Sequence, residues 1–239
     1  IPFKIGPDYI DTGFHAAATG RASVNVDCWM TGVKNTRFLF DEHRKRGDFS
    51  VIEGVMGLYD GLGDEHNTAS TAHIAKILSV PVILIIDGSQ MAASAGALVL
   101  GFREFDKEVN IAGIIVNRVS SDTHYGLIKE SIKRATGIPC LGYLPPRAEV
   151  SLPSRHLGLV PVNETASLNK RIEDIAALIE QCIDLDALEI RSEAIPKKSE
   201  IHDPRIFLKD MAKGLKIGIA RDDAFSFYYE DNLELLRYM

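Results

Sequence analysis

Short apolar runs that alternate with segments of helical periodicity constrain the fold of this chain most strongly. Residues 80–86 (VPVILII) and 111–116 (IAGIIV) are rich in β-branched side chains and have the length of buried strands. Residues 49–52 and 139–144 are weaker candidates. Strands separated by helices predict βαβ units, and therefore an α/β fold with a parallel sheet that carries helices on both faces.

Helical periodicity occurs in four segments, which are residues 68–78, 91–105, 125–135 and 165–183. In the last of them, apolar side chains recur at three- and four-residue steps with charged residues between them. This spacing is typical of a helix that buries one face against a core. Each of the four segments is therefore predicted to form a helix.

The pattern changes after residue 191. Residues 192–213 are polar and charged and contain two prolines, which predicts a linker with at most a short helix near residues 207–212. Residues 215–220 (LKIGIA) then have the pattern of a first strand. The sequence thus predicts a main domain over residues 1–191, a linker over 192–213, and the start of a second domain over 214–239.

Composition excludes several classes of protein. An apolar fraction of 46% with 25% charged residues argues against a disordered chain. The net charge of −6 gives no basic footprint, so we expect no nucleic-acid partner. No apolar run reaches the roughly 18 residues that a membrane span needs, so we expect no membrane partner. Three widely spaced cysteines, Cys28, Cys140 and Cys182, fit a reducing cytoplasm.

The densest group of chemically active side chains lies at residues 4–15 (KIGPDYIDTGFH). Polar groups just past a strand of an α/β sheet face the ligand crevice. Lys4 could therefore reach a phosphate, while Asp8 and Asp11 could hold Mg²⁺ or orient a substrate. The alternative is a polar loop in which Gly6 and Pro7 form a turn and Asp11 caps a helix.

A second group lies at residues 51–61 (VIEGVMGLYDG). An apolar strand that ends in an acid and runs into a glycine-rich loop is how nucleotide hydrolases place a carboxylate near Mg²⁺. Glu53 is that acid, and Asp60 is a second acid in the same loop. The alternative is a glycine-rich turn with solvated acids.

A third candidate is Asn117, at the end of the strand predicted over residues 111–116. An amide can pair with an adenine edge through one donor and one acceptor, although a strand-end Asn also often makes a local turn. No G-x-x-x-x-G-K-[ST] phosphate loop occurs in the 239 residues.

Together these segments resemble the cobyrinic acid a,c-diamide synthase family over nearly the whole chain except residues 192–213. The matching segments of the first half are KIGPDYIDTGFH (4–15), residues 18–30, VIEGVMGLYDG (51–61), STAHIAK (70–76) and residues 85–102. Those of the second half are VNRV (116–119), LGYLPP (141–146), LPSRHLGLVP (152–161) and RDDAFSFYYEDNLELL (221–236).

The resemblance implies a P-loop NTPase fold similar to dethiobiotin synthetase, without its N-terminal phosphate-loop segment. Residues 1–191 would be an ATP-binding amidoligase domain, and residues 214–239 the start of a class I glutamine amidotransferase domain. The implied reaction amidates the a and c acetates of a tetrapyrrole polycarboxylate, cobyrinic acid, in cobalamin biosynthesis. It uses ATP, Mg²⁺ and glutamine-derived ammonia and passes through phosphorylated carboxylates. Whether the protein forms a homodimer stays an open question.

The resemblance also implies roles for individual residues. The set that matches the family's carboxylate-activation site is Asp8, Tyr9, Asp11 and Asp60. The set that resembles its ATP or substrate contacts, with Asn117 as the adenine-reading amide and Lys4 as a phosphate contact, is Lys4, Asn117, Ser70, Thr71 and Ser94. The set that resembles its Mg²⁺ ligands is Glu53 and Asp8.

Three further expectations follow from the resemblance. The nucleophilic Cys and the His/Glu pair of the glutaminase would lie beyond Met239, so we expect no glutaminase activity from the isolated chain. The related nickel sirohydrochlorin a,c-diamide synthases share these motifs, which keeps the identity of the tetrapyrrole open. A regulatory ATPase of the partition group shares the fold, but it does not need the carboxylates of residues 8–11 and Asp60.

Overall fold

The computed structural model describes residues 1–63, 68–147, 154–155, 158–159, 168–191, 203–209, 211–222 and 224–239. The chain divides into two compact units. The first unit contains residues 1–78 with the described parts of 152–169 and 198–239. The second unit contains residues 79–151 and 170–197, again where they are described.

The first half of the described chain alternates strands and helices. In order, its elements are β1 (Pro2–Ile5), α1 (Ile10–Thr19), β2 (Val24–Val26), α2 (Cys28–Arg44), β3 (Val51–Glu53), α3 (Thr71–Leu78), β4 (Val82–Asp87), α4 (Ser94–Phe105) and β5 (Ile111–Asn117). The remaining elements are α5 (Asp122–Thr136), β6 (Cys140–Leu144), β7 (Ser154–Arg155), β8 (Gly158–Leu159), α6 (Leu168–Cys182), α7 (Leu185–Arg191), a 3-10 helix (Pro204–Leu208) and α8 (Glu230–Tyr238).

The first unit is built on a parallel sheet with strand order β2-β1-β3. All four residues of β1 are buried because helices cover this central strand, as is usual for parallel sheets. Phe3 of β1 packs on Phe40 of α2 with ring centroids 5.1 Å apart. In this register Lys4 lies opposite Glu53 on β3 and Asn25 on β2, so polar residues of three strands meet at one level of the sheet.

Aspartates start the two helices that flank this sheet. Asp8 Oδ1 accepts hydrogen bonds from the backbone N–H groups of Ile10 and Asp11, both at 2.7 Å, at the start of α1. The alternative reading in which Asp11 caps the helix is therefore wrong, because Asp8 supplies the oxygen and Asp11 already lies inside the first turn. Asp27 caps α2, which is broken at Gly32 by a φ of 76°.

The second unit is built on a parallel sheet with strand order β4-β5-β6. Its core includes Ile114 and Val116, which are fully buried on the central strand. Helices α4 and α5 pack closely at Gly96, because this residue has no side chain. A Cβ at this position would come within 2.5 Å of Ser131 Oγ. The Ser131 hydroxyl in turn donates to the carbonyl of Ala93 at 2.7 Å.

The α/β fold predicted from the sequence is confirmed, with helices around parallel sheets in each unit. The predicted strand at residues 215–220 is wrong. Within the part of the chain that the structure describes, no strand pairs with this segment, and its apolar side chains Leu215, Ile217 and Ile219 are exposed. The short helix expected near residues 207–212 is the 3-10 helix at Pro204–Leu208.

The remaining predictions on organisation stay open. Residues 192–202 of the predicted linker, and most of the LPSRHLGLVP segment, lie outside the described residues. The division into domains at residues 191 and 214 stays a prediction. Among the helices that the structure describes, none has both the length and the apolar character required to cross a bilayer.

Candidate functional site

The centre of the site in the first unit is Lys4, whose ammonium group lies among acceptors from three segments. Lys4 Nζ is 2.7 Å from Asp11 Oδ2, 3.2 Å from Glu53 Oε1 and 2.9 Å from the carbonyl oxygen of Gly54. Lys4 is only 4% exposed. Because an ammonium has three N–H donors, these contacts satisfy it fully. The strand pairing that sets Lys4 opposite Glu53 therefore joins the two acidic motifs of the sequence.

Burial and charge act in opposite directions in this group. Burial acts to lower the pKa of Lys4, but the hydrogen bond to Asp11 and the charge of Glu53 outweigh it, so the pKa of Lys4 is raised. Burial likewise acts to raise the pKa of Glu53, but the hydrogen bond from His15 and the charge of Lys4 lower it overall. Each shift favours the charged form, so both groups are ionised at neutral pH.

His15 extends the group, although the sequence analysis assigned it no role. Its Nε2 lies 2.5 Å from Glu53 Oε2, and its Nδ1 lies 3.0 Å from the hydroxyl of Ser23. The signal in the sequence was the spacing of Asp11 and His15, which are one helical turn apart on α1 and so share a face. We call Lys4, Asp11, His15 and Glu53 the acid–base cluster.

The loop before α1 is held by hydrogen bonds from β2. The Asn25 amide donates to the carbonyls of Gly6 and Asp8, both at 2.8 Å. Gly6 has a φ of 84°, a conformation that glycine adopts without strain. Asp8 Oδ1 serves the start of α1, which leaves Oδ2 as the carboxylate oxygen that could meet a ligand. The loop is therefore ordered by the protein itself.

Thr71 and Ser70 shape the glycine-rich loop after β3. The Thr71 hydroxyl accepts from the backbone N–H of Val55 at 3.0 Å and lies 3.2 Å from the Val55 carbonyl. A Cβ at Gly54 would come within 2.9 Å of Thr71, so this approach requires glycine. The buried Ser70 accepts from the N–H of His73 at 3.1 Å, at the start of α3. Both predicted site residues thus contact backbone.

Asp60 has a similar local role. Its Oδ2 accepts from the backbone N–H of Gly57 at 2.9 Å, and its own N–H donates to the Gly57 carbonyl at 3.1 Å. Met56, in the same turn, has a φ of 52° and is 87% exposed. Asp60 therefore closes the loop that follows Glu53, and its assignment to catalysis stays a prediction.

Two predicted site residues belong to the second unit. Asn117 ends β5, and its side-chain oxygen accepts from the backbone N–H of Arg118 at 2.9 Å. The side-chain N–H₂ group of Asn117 is therefore the part that could donate a hydrogen bond to the edge of a base. Arg118 pairs with Asp87 at 2.8 Å. Ser94 is the exposed first residue of α4, where backbone N–H groups favour an anion.

The carboxylates of the first unit are of the kind that Mg²⁺ prefers. This ion is usually held by one or two carboxylates together with substrate phosphates, so a cage of several acids is not needed. The Glu53 side chain is 48% exposed, and each of its oxygens retains a lone pair beyond the contacts to Lys4 and His15. Glu53 and Asp8 thus offer oxygen donors of the chemical type that Mg²⁺ takes, and their assignment as its ligands stays a prediction.

Parallel strands flanked by helices, with a carboxylate at the end of β3 in the first unit and an amide at the end of β5 in the second, are typical of P-loop proteins. A family model described as an AAA domain matches residues 17–154, which is more than half of the chain. The chain belongs to this AAA domain family of P-loop NTPases.

Individual relatives show which enzymes of the P-loop class the chain is similar to. The chain is 49% identical over 238 residues to the cobyrinate a,c-diamide synthase of Caldanaerobacter subterraneus, covering 100% of the chain and 52% of that protein. It is 48% identical to the same enzyme of Listeria monocytogenes (99% and 52%) and 46% identical to that of Salmonella typhimurium (98% and 51%). The resemblance predicted from the motifs is confirmed. The chain spans about half the length of these curated relatives.

Proposed function

We propose that this chain forms the carboxylate-activating part of a cobyrinate a,c-diamide synthase, a ligase that uses ATP, Mg²⁺ and glutamine-derived ammonia. The observation that carries the proposal is the ion-pair contact of Lys4 with Asp11 and Glu53. It joins the two acidic motifs that the relatives' family is expected to use, in a chain that is 43–49% identical to eight enzymes of that name.

The chemistry of the reaction explains why such a cluster is useful. A carboxylate is a poor acyl donor because oxide would have to leave, and transfer of a phosphoryl group from ATP supplies a better leaving group. Mg²⁺, held by Glu53 and Asp8, would neutralise charge on the phosphates. The substrate and ATP are both anionic, so the remaining task of the protein is positioning and charge compensation.

Within this scheme the acid–base cluster acts first by fixing geometry. Lys4 holds Asp11 and Glu53 at set positions, and a direct phosphate contact would require Lys4 to exchange one of its three acceptors. Asp8, Tyr9 and Asp11 follow one another on the loop and first turn after β1, where we propose that they orient the substrate carboxylate. Asp60 would then contribute by holding the loop after Glu53.

The nucleotide contacts are proposed for the remaining residues. Asn117 would read the adenine edge with its amide, and Ser94 would meet phosphate at the start of α4. Ser70 and Thr71 would contact substrate or phosphate through the start of α3. We also propose that the protein acts in the cytoplasm, because its three cysteines are free thiols, as is usual in a reducing compartment.

The test uses the full-length protein with ATP, Mg²⁺ and glutamine, and supplies cobyrinate or nickel sirohydrochlorin in separate reactions. Mass spectrometry counts the amides gained. The proposal expects two amides on cobyrinate. Two amides on nickel sirohydrochlorin alone would assign the chain to the other pathway. ATP hydrolysis without amidation of either tetrapyrrole would overturn the proposal in favour of a regulatory ATPase.

A further inference from the structure

The C-terminal segment of the first unit returns to the loop that carries Asp8 and Asp11. Tyr9 stacks with Tyr229 at a ring-centroid distance of 4.4 Å and an interplanar angle of 25°. It also stacks with Phe227 at 5.4 Å and 11°. The Tyr229 hydroxyl donates to the carbonyl of Pro7 at 3.1 Å. We call Tyr9, Phe227 and Tyr229 the aromatic cluster.

The segment is held in place independently of Tyr9. On the helix that follows it, Asp231 pairs with His43 at 2.6 Å, and Glu234 forms a two-pronged pair with Arg46 at 3.0 and 3.1 Å. Leu233 is buried on the same helix. Anchors at the end of α2 and just after it therefore fix α8, and the aromatic cluster is the point where this docked segment meets the loop after β1.

The charged side chains that hold α8 in place are better suited to pairing with each other than to binding a metal ion. His43, Asp231 and Glu234 are close enough to share a cation. However, the Arg46 guanidinium already supplies the positive charge to both oxygens of Glu234. A metal ion would have to displace this bidentate pair, which is among the stronger side-chain contacts in proteins.

The aromatic cluster joins the loop through side chains that the reaction scheme already uses. Tyr9 lies between Asp8, which accepts from the backbone N–H of Asp11 at the start of α1, and Asp11, which pairs with Lys4. Tyr9 therefore joins the aromatic cluster to the stretch of backbone that carries both carboxylates. Burial, followed by the hydrogen bond with Tyr9, raises the pKa of Tyr229, so the Tyr229 phenol stays neutral and keeps the O–H that it donates to Pro7.

We propose that Phe227 and Tyr229 are positioning residues, and that through Tyr9 they couple docking of the C-terminal segment to the order of the carboxylate-activation loop. The inference rests on the proposed function and on the expectation from the sequence that residues 214–239 open a glutaminase domain. Docking of that segment then completes the loop, and by linkage a substrate bound at the loop strengthens docking.

The first test does not depend on activity. Amide hydrogen exchange is followed in the full-length protein for the peptide that spans residues 6–12. Tyr229→Ala should raise its exchange rate about 2- to 10-fold, the range that loss of one aromatic pair allows. Phe225→Ala is the matched control, because Phe225 is an exposed aromatic residue of the same segment and stacks on neither Tyr9 nor Tyr229. It should leave that peptide unchanged.

The second test separates positioning from folding. Tyr229→Ala and Phe227→Leu should raise KM for the tetrapyrrole with either glutamine or free ammonia as donor. Hydrolysis of glutamine without ATP should keep its rate. Tyr229→Phe, which retains the ring and loses the bond to Pro7, should fall between wild type and Tyr229→Ala. If Tyr229→Ala does not fold, the test relies on Phe227→Leu, which retains an apolar side chain.

The outcomes for the coupling and for the proposed function are distinct. Unchanged exchange at residues 6–12 in both Tyr229→Ala and Phe227→Leu would overturn the coupling, even if wild type makes the diamide. Faster exchange in a protein that amidates no tetrapyrrole would support the coupling of segment and loop and overturn the proposed reaction. An equal change in Phe225→Ala would show a general loosening and would also overturn the coupling.

Discussion

Lys4 and Glu53 are register partners on neighbouring parallel strands, and their side chains form an ion pair 3.2 Å long. The pairing is a direct consequence of the strand order β2-β1-β3, which sets the ends of β1 and β3 side by side. Asp11 reaches the same ammonium from the first turn of α1. One buried cation therefore organises carboxylates from two separate sequence motifs.

Removal of that cation should destabilise the fold. Lys4→Met would leave Asp11 and Glu53 close together without their shared positive charge. We expect a loss of about 2 to 3 kcal/mol in the free energy of unfolding, below the range for fully buried pairs because both acids are partly exposed. Urea unfolding measures the loss.

Lys107→Met is the matched control for this substitution. Lys107 is 78% exposed and pairs with Glu104 on the surface at 3.2 Å, so its removal should cost less than about 0.5 kcal/mol. If the two variants lose the same stability, Lys4 does not organise the site.

The lowered pKa of Glu53 predicts a particular dependence of stability on pH. A carboxyl whose pKa is lower in the folded state than its ordinary value of 4.5 stabilises the fold above that pH. The contribution is lost as the pH falls below 4.5 and through the folded-state pKa. Urea unfolding between about pH 3 and pH 6 should therefore show a steeper acid loss in wild type than in Glu53→Gln.

Glu130→Gln is the control for the acid titration, because Glu130 is an exposed residue of α5. This variant should keep the wild-type slope. If Glu53→Gln also keeps it, the contacts of Glu53 with Lys4 and His15 do not favour the ionised carboxylate.

The hydroxyl of Thr71 should contribute more to the stability of the loop at Val55 than the shape of the Thr71 side chain does. Thr71→Val keeps the volume but removes the contacts to the N–H and carbonyl of Val55. We expect a loss of about 1 kcal/mol in the free energy of unfolding and faster hydrogen exchange at the Val55 amide. Thr71→Ser retains the hydroxyl and should preserve the protection of that amide. Equal protection in both variants would show that the hydroxyl does not hold the loop.

Regular parts of the fold could be predicted from the sequence because the local signal was strong. The apolar runs at residues 80–86 and 111–116 gave the strands Val82–Asp87 and Ile111–Asn117 within two residues at either end. The helices α1 and α2 were not assigned. Gly13 lies within α1, and Gly32 interrupts α2, so neither shows a long apolar period. The strand β2 has only three residues.

The motifs of the site could be predicted from the sequence, but the contacts between their side chains could not. The sequence placed Lys4, Asp11 and Glu53 among the candidates, because acids and a lysine near strand ends are an unusual local pattern. Their contact depends on the strand order, which local periodicity does not determine. The stacking of Tyr9 on Tyr229 joins residues 220 positions apart, so only tertiary structure could show it.

The most direct test of the account follows the oxygen that leaves the substrate. Cobyrinate labelled with heavy oxygen in its carboxylates is supplied to the full-length protein with ATP, Mg²⁺ and glutamine, and any phosphate produced is analysed by mass spectrometry. A phosphorylated carboxylate predicts that one labelled oxygen appears in phosphate for each amide formed. Asp11→Asn should slow this transfer on the order of 100-fold by disturbing the position of the reacting groups. Amide formation with unlabelled phosphate would contradict the account.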